Sequence, residues 1–468
     1  MDNTELETIV RNILTEKLAA TTASHVESSS SESYALFDDV DTAIMAATKA
    51  FKRFHQSPLK TRSAIITAIR KEIAPIIAKL SADAVAESGM GNTEDKILKN
   101  QAALENTPGI EDLTTQALTG DDGMVLYEYS PYGVIGSITP STNPTETIIN
   151  NSISMIAAGN SVYFSPHPGA KIVSLWLISK MEEIAFKASG IRNLIVTIKQ
   201  PSFKATKEMM NHPGIALLAV TGGPAIVESA MKTGKKVIGA GAGNPPCLVD
   251  ETAEIIHAAK SIIAGASLDH NVPCIAEKSV IVVDQVADQL IQQMQSFDAH
   301  LISKASEIES LRNICFLNGA VNKDLVGRSP ATILAAAGID CPEKEPKLII
   351  LETEKDDLFV IEEQLMPVIP IVRVKDFDQG LELSLAVENG LHHTAIMHSQ
   401  NVSRLNKAAQ IMQTSIFVKN GPSYSGIGVG AESFTTFTIA TPTGEGTTSA
   451  KSFARSRRCV LQNGFSIR

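Results

Sequence analysis

The chain holds 468 residues, 44% hydrophobic and 20% charged, with a formal net charge of -10. That length exceeds one compact core and asks for two or three subdomains, while the acidic balance disfavours nucleic acid as a partner. No run approaches the ~18 apolar residues of a membrane span, no basic-then-apolar segment resembles a secretory signal, and the five cysteines (Cys247, Cys274, Cys315, Cys341 and Cys459) show no metal-ligand spacing and fit a reducing, intracellular setting.

Thr4 and Glu7 have capping-box spacing, and Leu6, Ile9, Val10, Ile13, Leu14 and Leu18 form one apolar stripe. Residues 1–18 therefore read as an amphipathic helix. Residues 19–33, rich in serine and without apolar pattern, read as a flexible linker. Such a helix either packs back on the body or docks on a partner.

Residues 34–250 read as one α/β unit. Val40 to Leu104 is helical, with Pro75 kinking or starting a helix. Strands are expected near 121–140, first at Met124 to Tyr129 and then after the turn at Pro131. Helices (Thr147 to Ala158, Ala170 to Ala188, Lys204 to Met210) then alternate with strands (Ser161 to Ser165, Leu194 to Ile198, Ile215 to Val220, Lys236 to Gly239). That alternation predicts a doubly wound parallel sheet, with ligands beyond the carboxyl ends of its strands. Residues 251–430 repeat the pattern, with strands near Ile281, Leu348 to Leu351, Val368 to Arg373 and Ile416 to Val418. The tail, 431–468, is strand-like and needs a sheet edge; a neighbouring subunit is the expected supplier. The fold class is α/β: two doubly wound parallel-sheet domains plus a strand region for oligomerisation.

Three loops invite a nucleotide. Thr221-Gly222-Gly223-Pro224 follows a strand and opens a helix, so its backbone N–H groups can face a pyrophosphate, although a plain tight turn has the same composition. Ser165-Pro166-His167-Pro168 stands between another strand and helix. Gly239-Ala-Gly-Ala-Gly-Asn-Pro-Pro246 allows close backbone approach, with Gly241 and Gly243 at its floor. Cys274 lies between a helical run (Ile255 to Ala266) and the strand Ser279 to Val283. A thiol in a short loop there is either a buried apolar side chain or a nucleophile.

In this order, the loops and the Asn271-Val-Pro-Cys274 segment resemble the aldehyde dehydrogenase superfamily, over residue 34 to the C-terminus. Tyr132-Gly-Val-Ile-Gly-Ser-Ile-Thr139-Pro140 is similar to the family's first cofactor strand, and Thr221-Gly222-Gly223 to its pyrophosphate loop. Glu363-Gln-Leu-Met-Pro367 is similar to the E-x-F-G-P motif, whose glutamate holds the nicotinamide ribose. The resemblance implies NAD as cofactor and Cys274 as nucleophile. Two departures indicate the branch. Ala240 stands where hydrolytic members carry a water-activating glutamate, and Ser165-Pro166-His167-Pro168 replaces a segment with a ribose-binding lysine. Both resemble coenzyme-A-acylating members, whose acceptor is a thiol. Leu59 to Ala64, Gly89 to Asn92, Leu391 to Met397, Gly446 to Ser449 and the N-terminal helix are similar to the CoA-acylating propionaldehyde dehydrogenases of propanediol-utilisation microcompartments. The ethanolamine-pathway acetaldehyde enzymes are the alternative.

The resemblance implies oxidation of a short-chain aldehyde to acyl-CoA within a bacterial microcompartment lumen in the cytoplasm, with residues 1–18 docking on a shell protein. It implies a homo-oligomer, dimer or tetramer. His393 either assists thiol chemistry or is a satisfied loop histidine. The oxyanion donors that the resemblance leads one to expect are the Cys274 N–H and the side chain of Thr142 or Asn143. A hydrolytic enzyme and a shell-associated scaffold with a vestigial site are the competing classes; Ala240 opposes the first, and the retained Cys274 and Glu363 oppose the second.

Overall fold

The computed structural model describes residues 35–467. The helix expected over 1–18 and the linker over 19–33 lie outside the described residues.

Four helices come early: Val40–His55, Leu59–Ile73, Ile77–Ser88 and Thr93–Glu105. Asp39 and Asn92 begin the first and last by accepting from the backbone N–H groups of Thr42 and Asp95. Pro75 falls in a short 3-10 turn, Ala74–Ile76, which joins the second helix to the third as the kink expectation requires.

A six-stranded sheet follows. Its order is Leu36–Phe37, Ile195–Ile198, Ser161–Pro166, Val134–Thr139, Ile215–Thr221 and Lys236–Ala240. Every pairing in it is parallel. The central strands Val134–Thr139 and Ser161–Pro166 are buried along their whole length, as a sheet covered by helices on both faces demands. From Val134–Thr139 the chain runs outward through Ser161–Pro166 and Ile195–Ile198 on one side and through Ile215–Thr221 and Lys236–Ala240 on the other, with the earlier Leu36–Phe37 added at the edge, so the crevice of a doubly wound sheet opens beyond Thr139 and Thr221. The helix after Val134–Thr139 begins at Pro144, three residues before the expected Thr147, because proline is well suited to a first helical turn.

The second sheet has seven parallel strands in the order Ala299–Ile302, Leu348–Glu352, Val368–Val374, Ser279–Val283, Pro246–Val249, Thr394–His398 and Ile416–Lys419. Pro246–Val249 lies inside it, so the chain enters this sheet a few residues ahead of the border placed at 250/251. Cys247, Val280, Ile350, Ile369 and Ile396 share its core.

A three-stranded antiparallel sheet, Gln116–Gly120, Gly123–Pro131 and Ala454–Gln462, completes the fold. Here the expectation for the tail is corrected. Its edge is supplied by the chain's own Gly123–Pro131, paired from Ala454↔Pro131 to Gln462↔Gly123, and not by a neighbouring subunit. Among the described residues, no helix is long and apolar enough to cross a membrane.

Candidate active site

The chemistry gathers where the two large sheets meet, and the sheets contribute opposite ends. Thr139, Ser165 and Thr221 stand at the carboxyl ends of first-sheet strands. Gly243, Cys274, Glu363 and His393 each lie a few residues ahead of a second-sheet strand, at its amino end.

The cofactor candidates form an open shelf. Thr139 is buried and its hydroxyl has no protein partner. Pro140 follows it at the crevice. The Ser165 hydroxyl is 2.8 Å from that of Thr206, Pro166 ends the strand opposite Thr139, and His167 Nδ1 accepts from Gly169 N–H. Thr221 contacts the Thr438 hydroxyl at 3.0 Å, and Gly222 N–H donates to Ala240 O. A Cβ on Gly223 would meet nothing, whereas one on Gly222 would come within 2.9 Å of Ile226. One on Gly241 would press on Pro442. An unpartnered hydroxyl and bare glycine backbone at the switch point fit a dinucleotide.

The nucleophile loop is anchored from several directions. Asp269, His270 and Asn271 are consecutive non-glycine residues with left-handed backbone, φ 49°, 55° and 64°. Such conformations cost of order 1 kcal/mol each and persist only when their surroundings hold them. Asp269 accepts from Asn92 N–H and from Lys96 and Lys99 Nζ at 2.8 and 2.5 Å. His270 Nδ1 is 3.1 Å from Gly327 O. Asn271 Nδ2 donates to Ala266 O and Glu277 O. Cys274 follows, partly exposed. The residue keeps some exposure, but the protein packed around its sulfur, and then the Glu363 carboxylate, push the thiol up to about 12; Lys278 and Lys99 work in the opposite direction.

Glu363, Gly243 and His393 form one contact group. Glu363 accepts from Gly243 N–H at 3.2 Å, and burial raises its carboxyl. A Cβ on Gly243 would sit 2.6 Å from His393 Cγ, so glycine here lets the ring approach the loop. His393 is buried, its N–H donates to Glu388, its Nδ1 faces the Thr394 hydroxyl at 2.9 Å, and its Nε2 has no protein partner. Burial and then Lys278 lower its pKa to about 4, so the ring is neutral at pH 7. His392, one residue earlier, is exposed and bonded to Gln413 O.

The oxyanion candidates lie on the first-sheet side. Thr142 O accepts from Lys96, and Asn143 Oδ1 accepts from Lys99 at 2.6 Å. With its oxygen so engaged, the Asn143 amide presents Nδ2 as donor; that group reaches only the Thr142 hydroxyl, at 3.3 Å. Lys99 also binds Glu146 and Asp269, so it ties Asn143 to the loop that carries Cys274. Sequence reasoning missed these lysines. The pattern that could have found them is Lys96 and Lys99, three apart, on a helix whose buried face is otherwise mostly small and apolar.

The model of the aldehyde dehydrogenase family matches residues 17–306. The chain belongs to the aldehyde dehydrogenase family. Within this family it is similar to the CoA-propanoylating propanal dehydrogenase of Citrobacter freundii, with 67% identity over 468 residues and all of both chains. It is 46% identical over 442 residues to an acetylating acetaldehyde dehydrogenase of Salmonella typhimurium, covering 92% of this chain and 93% of that one. A crystal structure of Rhodopseudomonas palustris propionaldehyde dehydrogenase, with bound CoA and an acylated cysteine, superposes with a TM-score of 0.91 at 47% identity, over 93% of this chain and 99% of the other. A propionaldehyde dehydrogenase from the Clostridium phytofermentans fucose utilisation bacterial microcompartment gives 0.91 at 45% identity, over 93% and 100%.

Proposed function

We propose that this aldehyde dehydrogenase oxidises propionaldehyde to propionyl-CoA, with NAD as hydride acceptor and a thioester on Cys274, as a step in 1,2-propanediol degradation. One observation carries the reading: a cysteine held at the site with Ala240, and no carboxylate, at the water-activating position. The relative that shares 67% of residues is named CoA-propanoylating, whereas the acetylating relative shares 46%; this favours propionaldehyde over acetaldehyde.

Cys274 as thiolate attacks the aldehyde carbon. Its own N–H and the Asn143 Nδ2 or Thr142 hydroxyl stabilise the oxyanion. NAD, when bound, supplies the acceptor for the hydride that leaves this carbon as the thioester forms. Thr139, Gly222 and Gly223 would hold it, with Glu363 at the nicotinamide ribose. Deacylation transfers the acyl group to the CoA thiol and returns Cys274 as thiol. Because His393 is neutral, its unpartnered Nε2 can accept the CoA proton. His393→Ala is therefore expected to slow acyl transfer by about 10²-fold and to leave the first NADH burst nearly intact. Single-turnover kinetics separate the two steps. A loss confined to the burst would assign His393 to hydride transfer.

Homo-oligomerisation through the three-stranded sheet belongs to the same reading. Ala454–Gln462 is an edge strand, and Leu118, Val460 and Leu461 expose apolar side chains on this sheet. Residues 1–18 would dock on a microcompartment shell protein. Their deletion is expected to leave soluble activity unchanged and to remove the fraction of activity that co-purifies with intact shells. Unchanged co-purification would reject this address.

A further inference from the structure

Lys278, four residues beyond Cys274, is fully buried and has no part in the steps above. Its Nζ donates to Asn271 O at 2.8 Å, Asn271 Oδ1 at 2.6 Å and Pro273 O at 3.1 Å. A neutral amine has two N–H groups and an ammonium has three. Three acceptors therefore select the ammonium, although burial opposes its charge. The acceptors belong to the segment that leads into the nucleophile, and Asn271 is the last of its three left-handed residues. The titratable groups around Lys278 are Glu277, Glu363, Cys274 and His393. Of these, Glu363 opposes a thiolate at Cys274, and Lys278 offsets it.

We propose that Lys278 is a positioning residue for acylation: its ammonium locks the Asn271–Cys274 segment and supplies the buried positive charge against which the Cys274 thiolate forms. This rests on the reading of Cys274 as nucleophile.

The test is alkylation of the full-length enzyme by iodoacetamide, followed residue by residue by peptide mass spectrometry between about pH 7 and 9, where thiolate fraction sets the rate. The reagent is uncharged, so the rate reports thiolate content and access. Lys278→Gln should slow alkylation of Cys274 by about tenfold, one pKa unit. The exposed Cys341 and Cys459 should react unchanged. A side chain that merely props the loop would have the opposite effect: loosening would expose the thiol, and Cys274 would react at the wild-type rate or faster, overturning the proposal. If Lys278→Gln exposes the buried Cys247 and Cys315, it has not folded. The comparison then passes to Glu363→Gln with and without Lys278→Gln, where one buried carboxylate no longer lacks its counter-charge. A slower double variant supports the proposal; equal rates overturn it. Separately, if alkylated wild-type enzyme still forms acyl-CoA, the nucleophile is not Cys274 and the underlying reading fails.

Discussion

Cys274→Ala is expected to lower acyl-CoA formation by about four orders of magnitude or more, the usual cost of losing a covalent nucleophile, while NAD binding and melting temperature stay close to wild type. The side chain is partly exposed and small, so truncation removes little packing. What is lost is the attack itself. Asn143, Lys99 and Lys278 stay in place, but without sulfur no thioester forms for the CoA thiol to attack. Steady-state assay with propionaldehyde, NAD and CoA checks the outcome. Activity within tenfold of wild type would remove Cys274 from the mechanism.

The second large effect concerns stability. Asp269→Asn is expected to destabilise the protein by about 3–5 kcal/mol, as when one partner is removed from a buried ionic cluster. Asp269, Lys96 and Lys99 are all fully buried. Burial opposes the Asp269 charge, yet Lys99 and Lys96 hold its carboxyl below the ordinary range. The substitution leaves Lys99 with Glu146 as its carboxylate and Lys96 with the Thr142 carbonyl. The sign of the pH dependence follows. A carboxylate whose folded pKa is depressed stabilises fully above its unfolded pKa, about 3.9, and less as pH falls through the folded value. The gap in melting temperature between wild type and variant should therefore be widest near neutrality and narrow below about pH 4. Asp83→Asn, which breaks the exposed Lys79–Asp83 pair, should cost under about 1 kcal/mol. Equal melting temperatures for Asp269→Asn and wild type at pH 7 would contradict the role given to this cluster.

Much of this architecture was readable because parallel sheets covered on both faces leave a strong imprint. Val134–Thr139 and Ser279–Val283 are apolar runs closed by glycine, proline or polar loops, and helical segments separate them. Local pattern does not choose partners. The tail shows that it needs an edge, but its pairing with Gly123–Pro131 is a long-range event. The short strand Pro246–Val249 was hidden by the proline that opens it, and by Pro245 and the glycines before it. At the site, Cys274, Glu363 and the glycine loops were legible because their chemistry is tied to short motifs. Lys96, Lys99 and Lys278 were not. Lysine is rarely buried, and only the fold reveals that Asp269, Glu146 and the Asn271 carbonyl await these three. His393 was singled out by the resemblance, and the backbone agrees with that choice. His392 turns outward at φ 53°, and His393 enters the buried strand edge.

The central claim is a thioester on Cys274 that CoA, and not water, discharges. The most direct measurement incubates the enzyme with propionaldehyde and NAD but no CoA, digests it, and weighs the peptide that contains Cys274. A propionyl group on that peptide, persisting until CoA is added and then appearing as propionyl-CoA, is the predicted result. Propionate released without CoA, or the propionyl group on any other residue, would contradict it.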